Sequence, residues 1–285
     1  MKALVFGKTG QVARELAQIL PNARFLSRAE ADLTDPDACA RIIKSSNVDA
    51  VIHAAAYTAV DKAEAETEQA FLINGAAPAE MAKAAAPKHI PFIQISTDYV
   101  FDGQGTKPSL PDDPTAPLGV YGQSKLMGEI GVRAAGGVHV ILRTSWVVSA
   151  HGSNFMKSML RFSETRDVLR VVADQIGGPT PAAAIARALV EITAKLAANP
   201  DLTGTYQFAG GPDVSWADFA RAIFAEAGKA VTVENIPSAD YPTPAKRPAN
   251  SRLDCGSLAQ AFGIQRPDWR VGIQQIIADL KEQNS

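Results

Sequence analysis

The chain is poor in the features that mark several large protein classes. It has two cysteines, Cys39 and Cys255, far apart and outside any CxxC, which argues against a disulfide framework or a zinc cluster. It has no excess of either charge: 28 Lys+Arg stand against 30 Asp+Glu, for a net charge of −2. A nucleic-acid binder would show a basic stripe instead. No apolar run approaches the ~18 residues needed to cross a bilayer. Met1 to Phe6 lead directly into Gly7, without the apolar stretch and small-residue cleavage site of a signal peptide. His53, His89, His139 and His151 have no helical i,i+4 partner or HExxH context, and Asp61, Glu64, Glu66 and Glu68 read as a solvated helix face. The expectation is a soluble, cytoplasmic protein with no nucleic-acid partner, no membrane partner and no metal site.

What the chain does have is a globular balance, with 285 residues of which 46% are hydrophobic and 20% charged. Short apolar, β-favouring runs recur at 2–6, 25–26, 49–54, 91–96 and 138–142, with helical patterns between them. Asp35-Pro36 offers a helix N-cap followed by Pro at the first helical position. Strands that are mostly apolar rather than alternating belong to a sheet covered on both faces. The economical architecture is α/β: a doubly wound, parallel, Rossmann-type sheet. Residues 102–119, rich in Gly and Pro, read as a long functional loop. Residues 1–147 are expected to form a dinucleotide-binding domain, with contributions from about 168–200. Residues 148–285 are expected to form mainly a smaller substrate-binding lobe. In this second half, 168–172 reads as a strand and 182–197 as a helix. Ser215 with Asp218 resembles a capping box opening a helix to about Ala227.

At the first strand–helix junction, Gly7-Lys8-Thr9-Gly10-Gln11-Val12-Ala13 forms a GxxGxxA pattern. Gly7 allows the tight turn, Gly10 lets backbone approach a pyrophosphate, and Ala13 permits close helix–strand packing. Gln11 and Val12 open a helix whose free N–H groups suit phosphates. A P-loop is excluded, because Lys2 stands where that motif needs glycine. After the second strand comes Ser27-Arg28 rather than a carboxylate. Arginine there accommodates the 2′-phosphate of NADPH, although a solvated surface arginine explains it nearly as well and NADH stays an alternative. Asp32 and Leu33 are candidates for the adenine border, and Ala55, Ala56 and Tyr57 for the segment after strand three.

Tyr121 and Lys125 stand four apart, on one face of an expected helix. A phenol is a poor proton shuttle at neutral pH unless a cation stabilises its phenolate. Lys125 would supply that charge and hold the cofactor ribose.

These motifs resemble the extended short-chain dehydrogenase/reductases, and within them the dTDP-4-dehydrorhamnose reductase family. The matching segments are FGKTGQVA (6–13), AAYTAVDKAE (55–64), STDYVFDG (96–103), YGQSKLMGE (121–129), RTSWV (143–147), GSNFMKSMLR (152–161), DQIGGPT (174–180) and RPANSRL (247–253). The resemblance implies a Thr97, Tyr121, Lys125 triad that reduces the C4 ketone of a nucleotide sugar with hydride from NAD(P)H. It also implies Asp98 and Trp146 at the sugar, with Val60 and Tyr99 nearby. Without it, Trp146 would read as a core aromatic and Asp98 as a turn cap. Related dehydratases carry a glutamate where this chain has Tyr99, so the base that abstracts their C5 proton is missing. Arg247 and Asn250 could reach the nucleotide, with an interdomain salt bridge as the alternative for Arg247. Some relatives bind Mg²⁺ at a dimer contact through three glutamates. Here only Glu15 matches, opposite Ala183 and Asp279, so Mg²⁺ is not favoured and a homodimer stays open. A second class also fits the resemblance: a non-catalytic, NADP-binding regulatory subunit of the methionine adenosyltransferase beta type.

Overall fold

The computed structural model describes residues 1–283. The apolar runs become strands β1 (Ala3–Phe6), β2 (Arg24–Leu26), β3 (Ala50–His53), β4 (Phe92–Thr97) and β5 (His139–Thr144), and a sixth, β6, lies at Gly204–Gln207. All pair in parallel in the order β6-β5-β4-β3-β1-β2. Every residue of β1, β3 and β5 is buried, as a sheet sandwiched between two helical layers requires. This is the doubly wound α/β architecture expected from the sequence.

Each layer has its own core. On one face, Leu16, Ile185, Leu189 and Phe262 pack on Val5, Ile93 and Val140. They come from helices Gln11–Ile19, Ala182–Ala198 and Gly256–Phe262. On the other face, Ile43, Met81 and Val132 pack on Leu4, Val51 and Ile141. They belong to helices Pro36–Ser45, Ala77–Ala85 and Val120–Ala134. The Asp35 cap forms as expected: its carboxylate accepts from Ala38 N at 2.8 Å, with Pro36 at the first helical position.

A third core, with Met156, Phe219, Ile223, Trp269 and Ile273, builds the second lobe. Its helices are Phe155–Phe162, Trp216–Ala227 and Trp269–Gln283. A parallel strand pair, Val168–Val172 with Thr232–Ile236, completes it. Ser215 opens its helix as read, its hydroxyl accepting from Asp218 N at 3.0 Å. The sequence reading places no strand at 204–207. Its GTYQ residues carry little apolar signal, and pairing along β5 (Tyr206 opposite Leu142) is what orders them.

The chain runs from β1 outward to β2 and returns past β1 to β3. That reversal opens a crevice at the carboxyl ends of β1 and β3, the position where doubly wound sheets take ligands. No helix of the described residues is long and apolar enough to cross a membrane.

Candidate active site

The crevice begins at Gly7, the residue after β1. Its φ of +107° is a conformation that side chains rarely adopt, and a Cβ there would lie 3.2 Å from Ala55 N and 3.3 Å from Ala55 Cβ. Glycine is therefore required where the turn meets the segment after β3. Gly10 caps helix Gln11–Ile19 with no side-chain bond to its free N–H groups and no carboxylate in its first turn. An open helix end lined by glycine fits a dinucleotide pyrophosphate. Val12 turns into the core, so it can offer only backbone. The Gln11 amide oxygen accepts from Asn154 Nδ2 at 2.9 Å, a bond from the second lobe.

At the adenosine side, Arg28 is exposed and its Nε lies 3.4 Å from Asp32 Oδ2. Asp32 also accepts from Thr34 N at 2.9 Å. Leu33 is buried in the core beneath. Ala55 and Ala56 are half-buried along the crevice. The Tyr57 backbone is held on both sides by Asn74, whose amide accepts from Tyr57 N at 2.8 Å and donates to Tyr57 O at 3.0 Å.

At the other end, Thr97 closes β4 and Tyr121 and Lys125 occupy the first turns of helix Val120–Ala134. Thr97 Oγ1 donates to Asp98 Oδ1 at 3.1 Å and accepts from Tyr99 N at 3.2 Å. Thr97 also acts on the Tyr121 phenol, favouring its ionised form. Burial, with the Asp98 charge adding to it, pushes the Tyr121 phenol up to about 12 against the lowering influence of Thr97. At neutral pH the phenol holds its proton. Burial likewise pushes Asp98 up to about 6. Asp98 Oδ2 is buried and has no hydrogen-bond partner of good geometry among the described residues, while Ser251 acts on the carboxyl to lower it against burial. Tyr99 packs edge-on against Tyr121 with ring centroids 5.4 Å apart, and burial raises its phenol as well.

Lys125 is almost fully buried and donates from Nζ to the Ile95 carbonyl at 2.6 Å. Burial lowers it to about 8, and Glu129, one helical turn on, resists the fall. Glu129 is itself fully buried in a two-bond pair with Arg143, at 2.9 and 2.7 Å, and accepts from Ser96 at 2.6 Å. Arg143 in turn donates to Pro111 O at 2.8 Å, anchoring the loop 102–119.

Several candidates are engaged by the protein itself. Arg247 pairs with Asp61 through Nη2–Oδ2 at 2.8 Å and Nη1–Oδ1 at 3.2 Å, the salt bridge that the sequence left as an alternative. The buried Asn250 amide donates to Lys107 O at 2.7 Å, and its oxygen accepts from Arg252 Nη1 at 3.0 Å. Val60 is half-buried and starts a short helix, Val60–Ala63, whose Asp61 is the Arg247 partner. Trp146 follows β5 and stacks on Trp216.

The acidic stretch stays at the surface as expected, with Glu64, Glu66 and Glu68 exposed, but three of its carboxylates also hold partners. Asp61 holds Arg247, Glu66 accepts from the Tyr57 hydroxyl, and Glu64 Oε1 accepts from Val120 N at 2.9 Å, capping the helix that carries Tyr121. Sequence reasoning also missed Asn74, whose amide ties the Tyr57 backbone to Ser124 Oγ at 3.0 Å. Asn74 lies in the π-helical segment Leu72–Ala76, a local irregularity often found at functional sites. Glu15 accepts from Ser149 at 2.9 Å. Among the described residues, no group of three His, Cys, Asp or Glu is placed to hold a metal ion.

The chain is similar to known proteins along nearly its whole length. The family model described as RmlD substrate binding domain matches residues 1–282. The dTDP-4-dehydrorhamnose reductase of Sinorhizobium fredii is 43% identical over 286 residues, covering 97% of each chain. The crystal structure of a dTDP-4-dehydrorhamnose reductase from Clostridium acetobutylicum superposes with a TM-score of 0.93 at 34% identity, over 99% of this chain and 100% of that one. The enzyme of the same name from Bacillus anthracis, in complex with NADP, gives 0.90 at 31% identity, over 98% and 100%. With the family model matched over residues 1–282, the chain belongs to the RmlD substrate binding domain family, and it is similar to dTDP-4-dehydrorhamnose reductases over nearly its whole length.

Proposed function

We propose that the chain reduces the C4 ketone of dTDP-4-dehydro-6-deoxy-L-mannose to give dTDP-L-rhamnose. NADPH, when bound, supplies the hydride. Gly7, Gly10, Gln11, Ala55 and Ala56 line its phosphate and ribose side, and Arg28 and Asp32 stand at the adenosine end. The observation that carries this reading is the convergence of Thr97, at the end of β4, with Tyr121 and Lys125 on one face of helix Val120–Ala134: the Tyr121 ring packs against Tyr99, two residues from Thr97, and Lys125 bonds the Ile95 carbonyl of β4. Thr97 donates to the ketone oxygen and Tyr121 gives it a proton as negative charge grows there. Both bonds strengthen toward the transition state, which is the requirement for catalysis. The Lys125 cation lies one helical turn from Tyr121 and stabilises the phenolate that remains.

Asp98, Tyr99 and Trp146 border the space beside these groups and are read as sugar contacts. A non-catalytic, regulatory role is not favoured, since every group the reduction needs is present and relatives matched along nearly the whole chain carry the reductase name. A cytoplasmic setting belongs to the same reading, and light scattering on purified protein tests whether two copies pair. The decisive assay follows NADPH absorbance with several 4-keto nucleotide sugars and checks product stereochemistry by NMR. Consumption only with the 4-keto sugar supports the reading, and NADPH bound without turnover of any of them overturns it.

A further inference from the structure

Trp146 has a φ of +48°. For a bulky side chain this left-handed conformation is strained and persists only where neighbours enforce it. Two neighbours do so. Below, the indole lies on Gly177, where a Cβ would come within 2.7 Å of its Cε2. Above, the Trp216 ring covers it, with centroids 3.4 Å apart and planes 10° from parallel.

Trp216 is fixed in its turn. It is the first residue of a helix capped by Ser215, its indole N–H donates to Gln175 Oε1 at 3.2 Å, and Phe155 packs against it at 4.5 Å. Gln175 is held by Ser238 at 3.0 Å. A small sheet of Val214–Ser215, Ile176–Gly177 and Asn250–Ser251 brings these parts together. Its Ser251 lies beside the Trp146 indole, since a Gly177 Cβ would meet Trp146 Cε2 at 2.7 Å and Ser251 Cβ at 3.0 Å. Both indoles are half-buried.

We propose that Trp216 is a positioning residue that sets affinity for the nucleotide sugar by holding Trp146 in its left-handed conformation. The proposal rests on the reductase reading, with Trp146 at the sugar. An aromatic plate fixed before binding spares the ligand the cost of ordering it. The ring and hydrogen-bond partners of Trp216 among the described residues are Trp146, Phe155, Phe219 and Gln175, so its loss falls on sugar binding.

The test compares the wild type with Trp216→Leu, Trp216→Phe and Gly177→Ala. Trp216→Leu raises KM for the 4-keto sugar roughly 5–10-fold, with kcat and NADPH affinity little changed. Trp216→Phe, which keeps an aromatic face, restores most of the loss. Gly177→Ala reproduces the defect from the opposite face of the indole and serves if the leucine variant does not fold. A far-ultraviolet exciton couplet from the stacked indoles is present in the wild type and lost in Trp216→Leu. An unchanged KM with active wild type overturns this proposal alone, as does a parallel loss of kcat, KM and NADPH affinity. Absence of the couplet in the wild type also overturns it. Absence of wild-type turnover with the couplet present removes the reductase reading instead, and the proposal with it.

Discussion

At the scale of single residues, the site places a charge where burial opposes it. Asp98 titrates near 6 in the fold rather than at its ordinary 3.8. At one unit per ~1.4 kcal/mol, ionising it there costs on the order of 3 kcal/mol. The folded form binds the proton more tightly than the unfolded one, so this stability is present below the ordinary value and is lost as pH rises through about 6. Asp98→Asn should therefore raise the midpoint of thermal unfolding near neutral pH, by roughly 2–4 °C per kcal/mol regained. The gain should shrink toward about pH 4. Scanning calorimetry at both ends of that range checks it, and an equal gain at both would remove the charge as its cause. Tyr121→Phe removes the proton donor and should lower kcat by roughly 10²–10⁴-fold while leaving NADPH affinity intact. Steady-state kinetics beside fluorescence titration separates the two quantities.

At the scale of elements, the helix Val120–Ala134 carries the chemistry and is held from three sides. Glu64 caps its start, Asn74 bonds Ser124 in its middle, and Glu129 clamps it to β4 and β5 through Ser96 and Arg143. Glu129 is a buried charge that burial alone would push up, but its bonds to Arg143 hold it below the usual carboxylate range. Breaking such a pair from one side leaves an uncompensated charge. Arg143→Met should cost ~3–5 kcal/mol in urea unfolding, and adding Glu129→Gln should recover most of it. Because Glu129 resists the burial-driven fall of Lys125, its neutralisation should also move the alkaline limb of the activity profile to lower pH. A limb that stays in place in the folded double variant would show that Lys125 does not set it.

At the scale of the molecule, contacts between residues far apart in sequence hold the crevice. The Gln11–Asn154 bond and the Asp61–Arg247 pair bridge distant parts of the chain. A ligand that binds only the folded form adds stability by mass action. NADPH at about 100 times its dissociation constant should stabilise the wild type by ~2.7 kcal/mol, and should do the same for Tyr121→Phe. A thermal shift in the wild type but none in the variant would place the phenol in cofactor binding rather than in proton transfer.

How much of this was legible in the sequence follows from the range over which each interaction acts. Apolar runs bounded by glycine and proline are local signals, so β1 to β5 and their helices could be read from periodicity. The turn at Gly7 and the caps at Asp35 and Ser215 were legible for the same reason, since each depends on residues within a few positions. β6 was not, because its strand is ordered by pairing with β5 some sixty residues away. Nor were the roles of Glu64, Asn74 and Trp216, whose partners lie at Val120, Tyr57 and Trp146. The Glu64 carboxylate stays exposed, and only the fold brings the Val120 N–H to it. The chain alone determined where the strands, turns and chemistry-bearing side chains occur, because those depend on short-range sterics and hydrophobic patterning. Tertiary packing decided which of those side chains face the crevice, which are spent holding it open, and how far burial moves their protons, because desolvation and long-range pairing exist only once the layers have closed.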